Sequence, residues 1–367
     1  MLPHMHRLRR NCNNKYPYLC STIVVLIAMR IGFSSSAMNT SAAAMLPRIR
    51  ALIPPLTEKM HKGSSGRIGI VGGSLEYTGA PYYAGMASLK AGADLSFVYC
   101  APEAAIPIKS YSPELIVYPY LPSSNANADS STMCSARIAD TLDRIHALVV
   151  GPGLGRDAAV LDSAREIIVA AVSRKRKRPM PVVLDGDALY LLAEQPDILA
   201  SEQHSDLENV YLTPNAREFD RLFRSFMGAS PPADAFEFGF DDEASTLQSG
   251  KDAVQSLASA IGRGVTVIRK GAVDIISDGS VSVIAREENF SKRRCGGQGD
   301  VLAGILGTFA HWANSTNSDT VAAAYAACSL TKRAGTLAFS DRKRSTTTPD
   351  IIDRIGDAFG MYETYHS

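Results

Sequence analysis

The 367-residue chain has no Asp or Glu before Glu58, no Cys-x-x-Cys pair, and no phosphate loop of the form G-x-x-x-x-G-K-S/T. Each absence excludes something. The six cysteines, at 12, 20, 100, 134, 295 and 328, lack metal-ligand spacing, and the seven histidines are scattered. A zinc site is therefore not expected, and the thiols read as reduced. Without the lysine-bearing phosphate loop, the chain is not a Walker-type nucleotidase. The run Gly151-Pro152-Gly153-Leu154-Gly155 has the spacing GxGxG and lacks the third glycine of GxGxxG, which argues against a hydride-transferring Rossmann enzyme. A formal net charge of +1 gives no global attraction to nucleic acid or anionic membrane.

What is present is an ample core, with 46% hydrophobic and 20% charged residues, as in soluble globular domains. Residues 1–52 read as a leader and 53–367 as one domain. The leader carries Arg7, Arg9, Arg10, Lys15, Arg30, Arg48 and Arg50 among serines and alanines with no acid. That is the composition of a mitochondrial transit peptide. Within it, Ile23 to Met29 forms an apolar run that also suits a secretory signal core and is too short to span a membrane stably. An internal start at Met38 or Met45 would leave a cytoplasmic protein. The expected residence is mitochondrial.

From Arg67 onward, strand-like and helix-like segments alternate, as in a mostly parallel α/β sheet with helices on both faces. Strands are expected at 67–71, 95–99, 147–150, 181–185, 210–213 and 265–269, with helices through 83–91, over 158–172 and after Lys251. Segments 274–277 and 281–284 flank Asp278-Gly279, a hairpin signal. Residues 122–135 and 228–250 read as polar, irregular insertions. The basic run 174–178 reads as a solvated helix end.

Three glycine-rich turns punctuate this pattern: Val71-Gly72-Gly73-Ser74, Gly151 to Gly155, and Cys295-Gly296-Gly297-Gln298-Gly299-Asp300. In parallel sheets such turns lie at the carboxyl ends of strands, where ligands bind. After the third, Val301, Leu302, Ile305, Leu306 and Phe309 recur at helical spacing. The loop therefore feeds a helix N-terminus, whose free N–H groups and partial positive charge attract phosphate. Asp300 at that point either caps the helix or takes a proton from a group the phosphate is about to meet. Lys270 to Asp274 joins two strands, either as an ordinary tight turn or as a cationic element for a ligand. Leu212 to Phe219 ends a strand and opens a helix, with Asn215 and Glu218 expected to face the crevice.

The combination of GRIGIVGGS, EYTGAPYYA, YSPELIV, VVGPGLGRD, LTPNAREFDRL, IRKG and RRCGGQGD, in this order, resembles the ATP-dependent NAD(P)H-hydrate dehydratases of the ribokinase-like superfamily. The resemblance runs from about Ile53 to the C-terminus. It implies that ATP phosphorylates the ring hydroxyl of hydrated NADH or NADPH (the S epimers, NADHX and NADPHX), that phosphate then leaves, and that Mg²⁺ accompanies ATP. Asp300 would be the catalytic base. ATP would be bound by Lys270, Gly271, Ala272, Val273, Asp274, Phe290, Ser291, Lys292, Arg293, Arg294, Cys295, Gly296, Gly297, Gln298 and Gly299. The hydrated dinucleotide would meet Gly155, Asn215, Ala216, Arg217, Glu218, Phe219, Asp220, Arg221 and Asp300. The metal ligands are not indicated, pairing with an NAD(P)H-hydrate epimerase is expected, and a homo-oligomer is left open. One departure stands at Asp185-Gly186-Asp187-Ala188-Leu189, where the family pattern is Asp-Ala-Asp-Gly-Leu. It keeps both acids and alters local backbone shape. A vitamin-precursor or sugar kinase would share Asp300 and its loop, and a non-catalytic nucleotide-binding protein would be expected to lack them.

Overall fold

The computed structural model describes residues 42–123, 128–173, 179–200, 207–235, 244–287, 291–316 and 319–363. It forms two units, Met1–Pro47 and Arg48–Ser367. In the first, the described residues 42–47 are helical. The apolar run 23–29, the basic run 174–178 and Phe290 lie outside the described residues.

The second unit is built on one sheet. Its strands are β1 (Arg67–Val71), β2 (Leu95–Tyr99), β3 (Leu115–Tyr118), β4 (Ala147–Val150), β5 (Val182–Leu184), β6 (Val210–Leu212), β7 (Val265–Arg269), β8 (Asp274–Ser277) and β9 (Ser282–Ala285). Their order is β3-β2-β1-β4-β5-β6-β7-β8-β9. Pairing is parallel from β3 through β7 and antiparallel from β7 to β9. Strands β4 to β7 are buried throughout, because helices cover both faces. This is why they read as continuous apolar runs and not as alternating ones.

One face carries α1 (Gly79–Lys90), α8 (Gln298–Ser315) and α9 (Thr320–Arg342). The other carries α4 (Ala158–Val172), α5 (Asp187–Glu194), α6 (Ala216–Met227) and α7 (Ala244–Ile261). Between α1 and α4 run α2 (Pro102–Tyr111) and α3 (Ala128–Ala139), and α10 (Thr348–Asp353) follows α9. Ile167, Ile168, Leu192, Leu222, Leu257 and Val267 are fully buried in the core under the second face. Burial of each such side chain is worth roughly 1.5–3 kcal/mol relative to exposure.

Two connections position everything that follows. Strands β2 and β3 build outward from one side of β1, and β4 then returns to the other side. The sheet order thus reverses between β1 and β4, and a crevice opens at the carboxyl ends of these strands. The turn after β1 is tied to the turn after β4 by Gly73 N–H donating to the Gly153 carbonyl at 3.0 Å.

The structure corrects several expectations. Strand β3 was not foreseen. The supposed irregular insertion 122–135 contains the start of α3, which packs on α4. Its sequence, Ala-Asp-Ser-Ser-Thr-Met-Cys-Ser-Ala-Arg-Ile-Ala, holds too few large apolar residues to show a helical stripe. Helix α7 begins at Ala244, inside the expected 228–250 insertion. The β8–β9 connection spans four residues, since Ser277 pairs with Ser282, and Asp278 closes it by accepting from the N–H groups of Ser280 and Val281.

Candidate active site

The residues implicated in chemistry collect at the carboxyl ends of β5, β6 and β7 and at the head of α8. Asp185 ends β5 and is buried. Its Oδ1 accepts from Thr213 Oγ1, at the end of β6, at 2.6 Å, and lies 2.6 Å from Lys270 Nζ, at the end of β7. Three adjacent parallel strands thus each send one polar group into a single contact. The lysine is also 4.0 Å from Glu218 Oε2. Burial works against its charge, but Asp185, Glu218 and Asp300 outweigh that and hold its pKa above the ordinary value.

Glu218 belongs to α6, which Asn215 starts. The Asn215 side chain accepts from the N–H groups of Arg217 and Glu218, and the Glu218 carboxylate accepts from Asn215 N–H at 2.7 Å. This reciprocal cap is why the Thr-Pro-Asn-Ala-Arg-Glu stretch starts a helix, and an Asn cap contributes about 1 kcal/mol. Burial pushes the Glu218 carboxyl up, with Lys270 opposing.

The loop before α8 leaves the head of that helix without a side-chain cap, and Gly297 occupies the cap position with φ 94°. A left-handed backbone there suits glycine. A Cβ at Gly297 would also sit 2.7 Å from Tyr83 Cδ2 and 3.0 Å from Thr348 Oγ1. Thr348, at the start of α10, donates to the Gly296 carbonyl and lies 3.5 Å from Cys295 Sγ. Gly296, by contrast, is exposed and has open space where a Cβ would be. Gly299 leaves room for Lys270 Nζ, 3.3 Å from its Cβ position.

Asp300 lies in the first turn of α8. Its carboxyl is pushed up to about 7, first by burial and then by the Asp185 carboxylate, with Lys270 opposing and Asp187 adding to the rise. A carboxyl poised near neutrality is the condition for a general base. The helix-cap reading of Asp300 fails, because Gly297 holds that position.

Beside this group opens a cavity of about 390 Å³. Lys270, Gly271, Ala272, Asp274, Ser291, Arg294, Gln298 and Gly299 line it, as expected for one ligand, and Asn215 joins them. Among the residues expected at the second ligand, Gly155 and Arg221 lie away from that lining. Gly155 N–H donates to Asp187 Oδ2 at 3.0 Å. Phe219 is buried in the core under α6, Asp220 pairs with Arg224 at 3.0 Å, and Ala216 and Arg217 are exposed at the start of α6. Lys292 and Arg293 are also exposed. Val273 is fully buried, so its side chain packs in the core.

Lys332 on α9 was not foreseen. Its Nζ lies 2.7 Å from Asp274 Oδ2 and donates to the carbonyls of Gly271 and Ala272 at 3.3 and 3.2 Å. It holds the β7–β8 turn from behind and lines the cavity. Asp185, Thr213, Tyr83 and Thr348 were likewise absent from the expected site. The departure at Asp185-Gly186-Asp187 has a physical basis: Gly186 has φ 54° and ψ −118°, a conformation costly for alanine.

This sheet, its two antiparallel edge strands and the loop-and-carboxylate at a helix start define a ribokinase-like fold. The chain is similar to a ribokinase-like superfamily protein of Enterococcus faecalis (19% identity, 86% of this chain, 94% of that chain, TM-score 0.62). It is also similar to the ADP/ATP-dependent NAD(P)H-hydrate dehydratase of Bacillus subtilis, co-crystallized with ATP and Mg²⁺ (18% identity, 87% of this chain, 97% of that chain, TM-score 0.59). Relatives called ATP-dependent (S)-NAD(P)H-hydrate dehydratase include a Danio rerio protein, 42% identical over 345 residues (92% of this chain, 93% of the relative). The Mus musculus protein of that name is 46% identical over 323 residues (86% of this chain, 84% of the relative). The NAD(P)H-hydrate dehydratase family model matches residues 68–356. The chain belongs to the NAD(P)H-hydrate dehydratase family.

Proposed function

We propose that the protein is a lyase that uses ATP to dehydrate the S epimers of hydrated NADH and NADPH, restoring NADH and NADPH. The observation that carries this reading is Asp300, a carboxyl held at about 7 behind a glycine loop at the start of α8. ATP occupies the cavity lined by Lys270, Arg294 and Lys332, whose cations suit a triphosphate. The backbone N–H groups of the 296–299 loop receive the γ-phosphoryl group. Asp300 accepts the proton of the ring hydroxyl as that oxygen takes the phosphoryl group, the ring ester then expels phosphate, and loss of a ring proton completes the double bond. Phosphoryl transfer of this kind depends mainly on positioning and charge stabilisation.

The donor set fits an Mg²⁺ ion carried on the nucleotide. Among the described residues no three metal-ligating side chains cluster, so such an ion would be held mainly by phosphate oxygens and water, with Asp185 the nearby carboxylate apart from the base. When bound, the ion would neutralise charge on the phosphates.

Two further parts of the reading rest on chemistry and composition. An enzyme restricted to one epimer is served by an epimerase that interconverts the two. The acid-free, arginine-bearing leader supports mitochondrial residence. The activity is tested by supplying ATP, magnesium and hydrated NADH and following the reduced-nicotinamide absorbance. Its appearance only with ATP present is the expected result, and phosphorylation without dehydration would instead make the protein a kinase.

A further inference from the structure

The turn that joins α9 to α10 braces the loop before α8, and most of it is open to solvent. Asp341 to Ser345 are five consecutive exposed residues. Lys343 to Ser345 form a single helical turn. Lys343 has φ 54°, a backbone conformation that a long side chain adopts at a cost. The Ser345 hydroxyl donates to the Arg342 carbonyl at 2.7 Å, a bond at the protein surface. Such a turn opens locally more readily than the helices it joins.

The next three residues hold the loop. Arg293 Nε donates to the Thr346 carbonyl at 3.5 Å. Thr348 Oγ1 donates to the Gly296 carbonyl and lies 3.5 Å from Cys295 Sγ. Ser345 is thus one residue from the partner of Arg293 and three from the partner of Gly296. Carboxylates at this end are already engaged. Asp350 pairs with Arg342 at 3.2 Å and accepts from the N–H and hydroxyl of Thr347, and Asp341 pairs with Arg354.

The sequence Arg342-Lys343-Arg344-Ser345 places three cations directly ahead of an exposed hydroxyl. Charge patterns of this kind are how protein kinases select their substrates. We infer that Ser345 is a phosphorylation site for an arginine-directed serine/threonine protein kinase, and that its phosphorylation weakens ATP binding. Ser345 Oγ forms the new P–O bond, the bond from the γ-phosphorus of the kinase's ATP to its bridging oxygen breaks, and ADP leaves. The hydroxyl proton passes to the kinase's catalytic carboxylate.

The product carries about −1.5 to −2 charges at neutral pH and three strong acceptor oxygens. Arginine forks match those oxygens in pairs. The new group therefore draws Arg293 away from the Thr346 carbonyl and competes with the triphosphate for the cations of the loop. The inference rests on the function proposed above only in taking ATP as the nucleotide of that loop.

The test treats the full chain with a purified kinase that requires arginine three residues ahead of serine, using radiolabelled ATP and magnesium. Peptide mass spectrometry locates the phosphate, and calorimetry compares binding of the non-hydrolysable analogue AMP-PNP before and after treatment. Label at Ser345 and a roughly fivefold or greater loss of affinity, the usual span of coupling between sites, are the expected results. Ser345→Ala should take no label at this position and bind AMP-PNP as untreated wild type does. Absence of label at Ser345 overturns the inference, as does unchanged affinity in the labelled protein. If labelling weakens AMP-PNP binding but the untreated protein does not dehydrate hydrated NADH, the proposed function falls and the modification site stands.

Discussion

Lys270 Nζ and Asp185 Oδ1 stand 2.6 Å apart, and on top of burial, the largest cause, these two charges act in opposite directions on the proton of Asp300. The carboxylate of Asp185 raises the Asp300 pKa and the ammonium of Lys270 lowers it. Lys270 is therefore more than a point charge for phosphate, since it also keeps two neighbouring carboxylates compatible.

The pH dependence of turnover should report this balance. Asp300 works as a base only when deprotonated, so activity should rise with pH through about 7. Asp185→Asn removes the anionic neighbour and should move that limb to lower pH. Lys270→Met removes the cation and should move it to higher pH. Each shift should be about one pH unit or more. Rate profiles of kcat/KM for the three proteins check this, and shifts in the same direction would contradict it.

The two central glycines of the loop should respond differently to a side chain. Gly297→Val requires a left-handed valine and strikes Tyr83 and Thr348, so it should lower Tm as well as activity. Gly296→Ala meets nothing within 4 Å and should leave Tm unchanged while raising the KM for ATP, because the added methyl stands where phosphate approaches. Thermal melts and steady-state kinetics separate the two. An unaltered KM in Gly296→Ala would place the phosphate elsewhere.

Lys332 should act by holding the β7–β8 turn. Lys332→Met removes the ion-pair partner of buried Asp274 and leaves it Arg269 and the Gly271 N–H, and breaking a buried pair typically costs up to about 3–5 kcal/mol. It should lower Tm and raise the KM for ATP. Adding Asp274→Asn removes the stranded charge and should recover much of the Tm without recovering the KM. Recovery of both would show that the lysine serves stability alone.

Much of this arrangement was legible in the residues. Val265 to Arg269 and Ala158 to Val172 lie in the structure where apolar runs and helical spacing put them, because strong periodicity follows from burial. The Gly-Gly-Gln-Gly-Asp loop was legible for a similar reason, since glycines before an apolar helix admit few structures. Lys332 was hidden for the opposite reason. It lies in the middle of α9, and only the packing of α9 against the end of β7 gives it a role. The Asp185–Thr213–Lys270 contact joins residues 85 positions apart in sequence, so no local pattern announces it.

A chain beginning at Met45 should fold and keep full activity. It retains Arg48, whose guanidinium is 2.8 Å from both Asp319 oxygens, and the buried Ile49 and Leu52. Beginning instead at Ile53 removes all three, and Tm should fall. A fluorescent fusion of residues 1–50 should enter mitochondria, whereas retention in the secretory pathway would assign the leader to export.

The most direct measurement of the central claim compares wild type with Asp300→Asn under saturating ATP, magnesium and hydrated NADH, together with nucleotide affinity. A general base contributes about 10²–10⁴-fold in rate, so kcat should fall by that factor while ATP still binds and Tm is maintained. Wild-type turnover by Asp300→Asn would contradict the assignment of Asp300 as the base, and with it the mechanism built on the α8 loop.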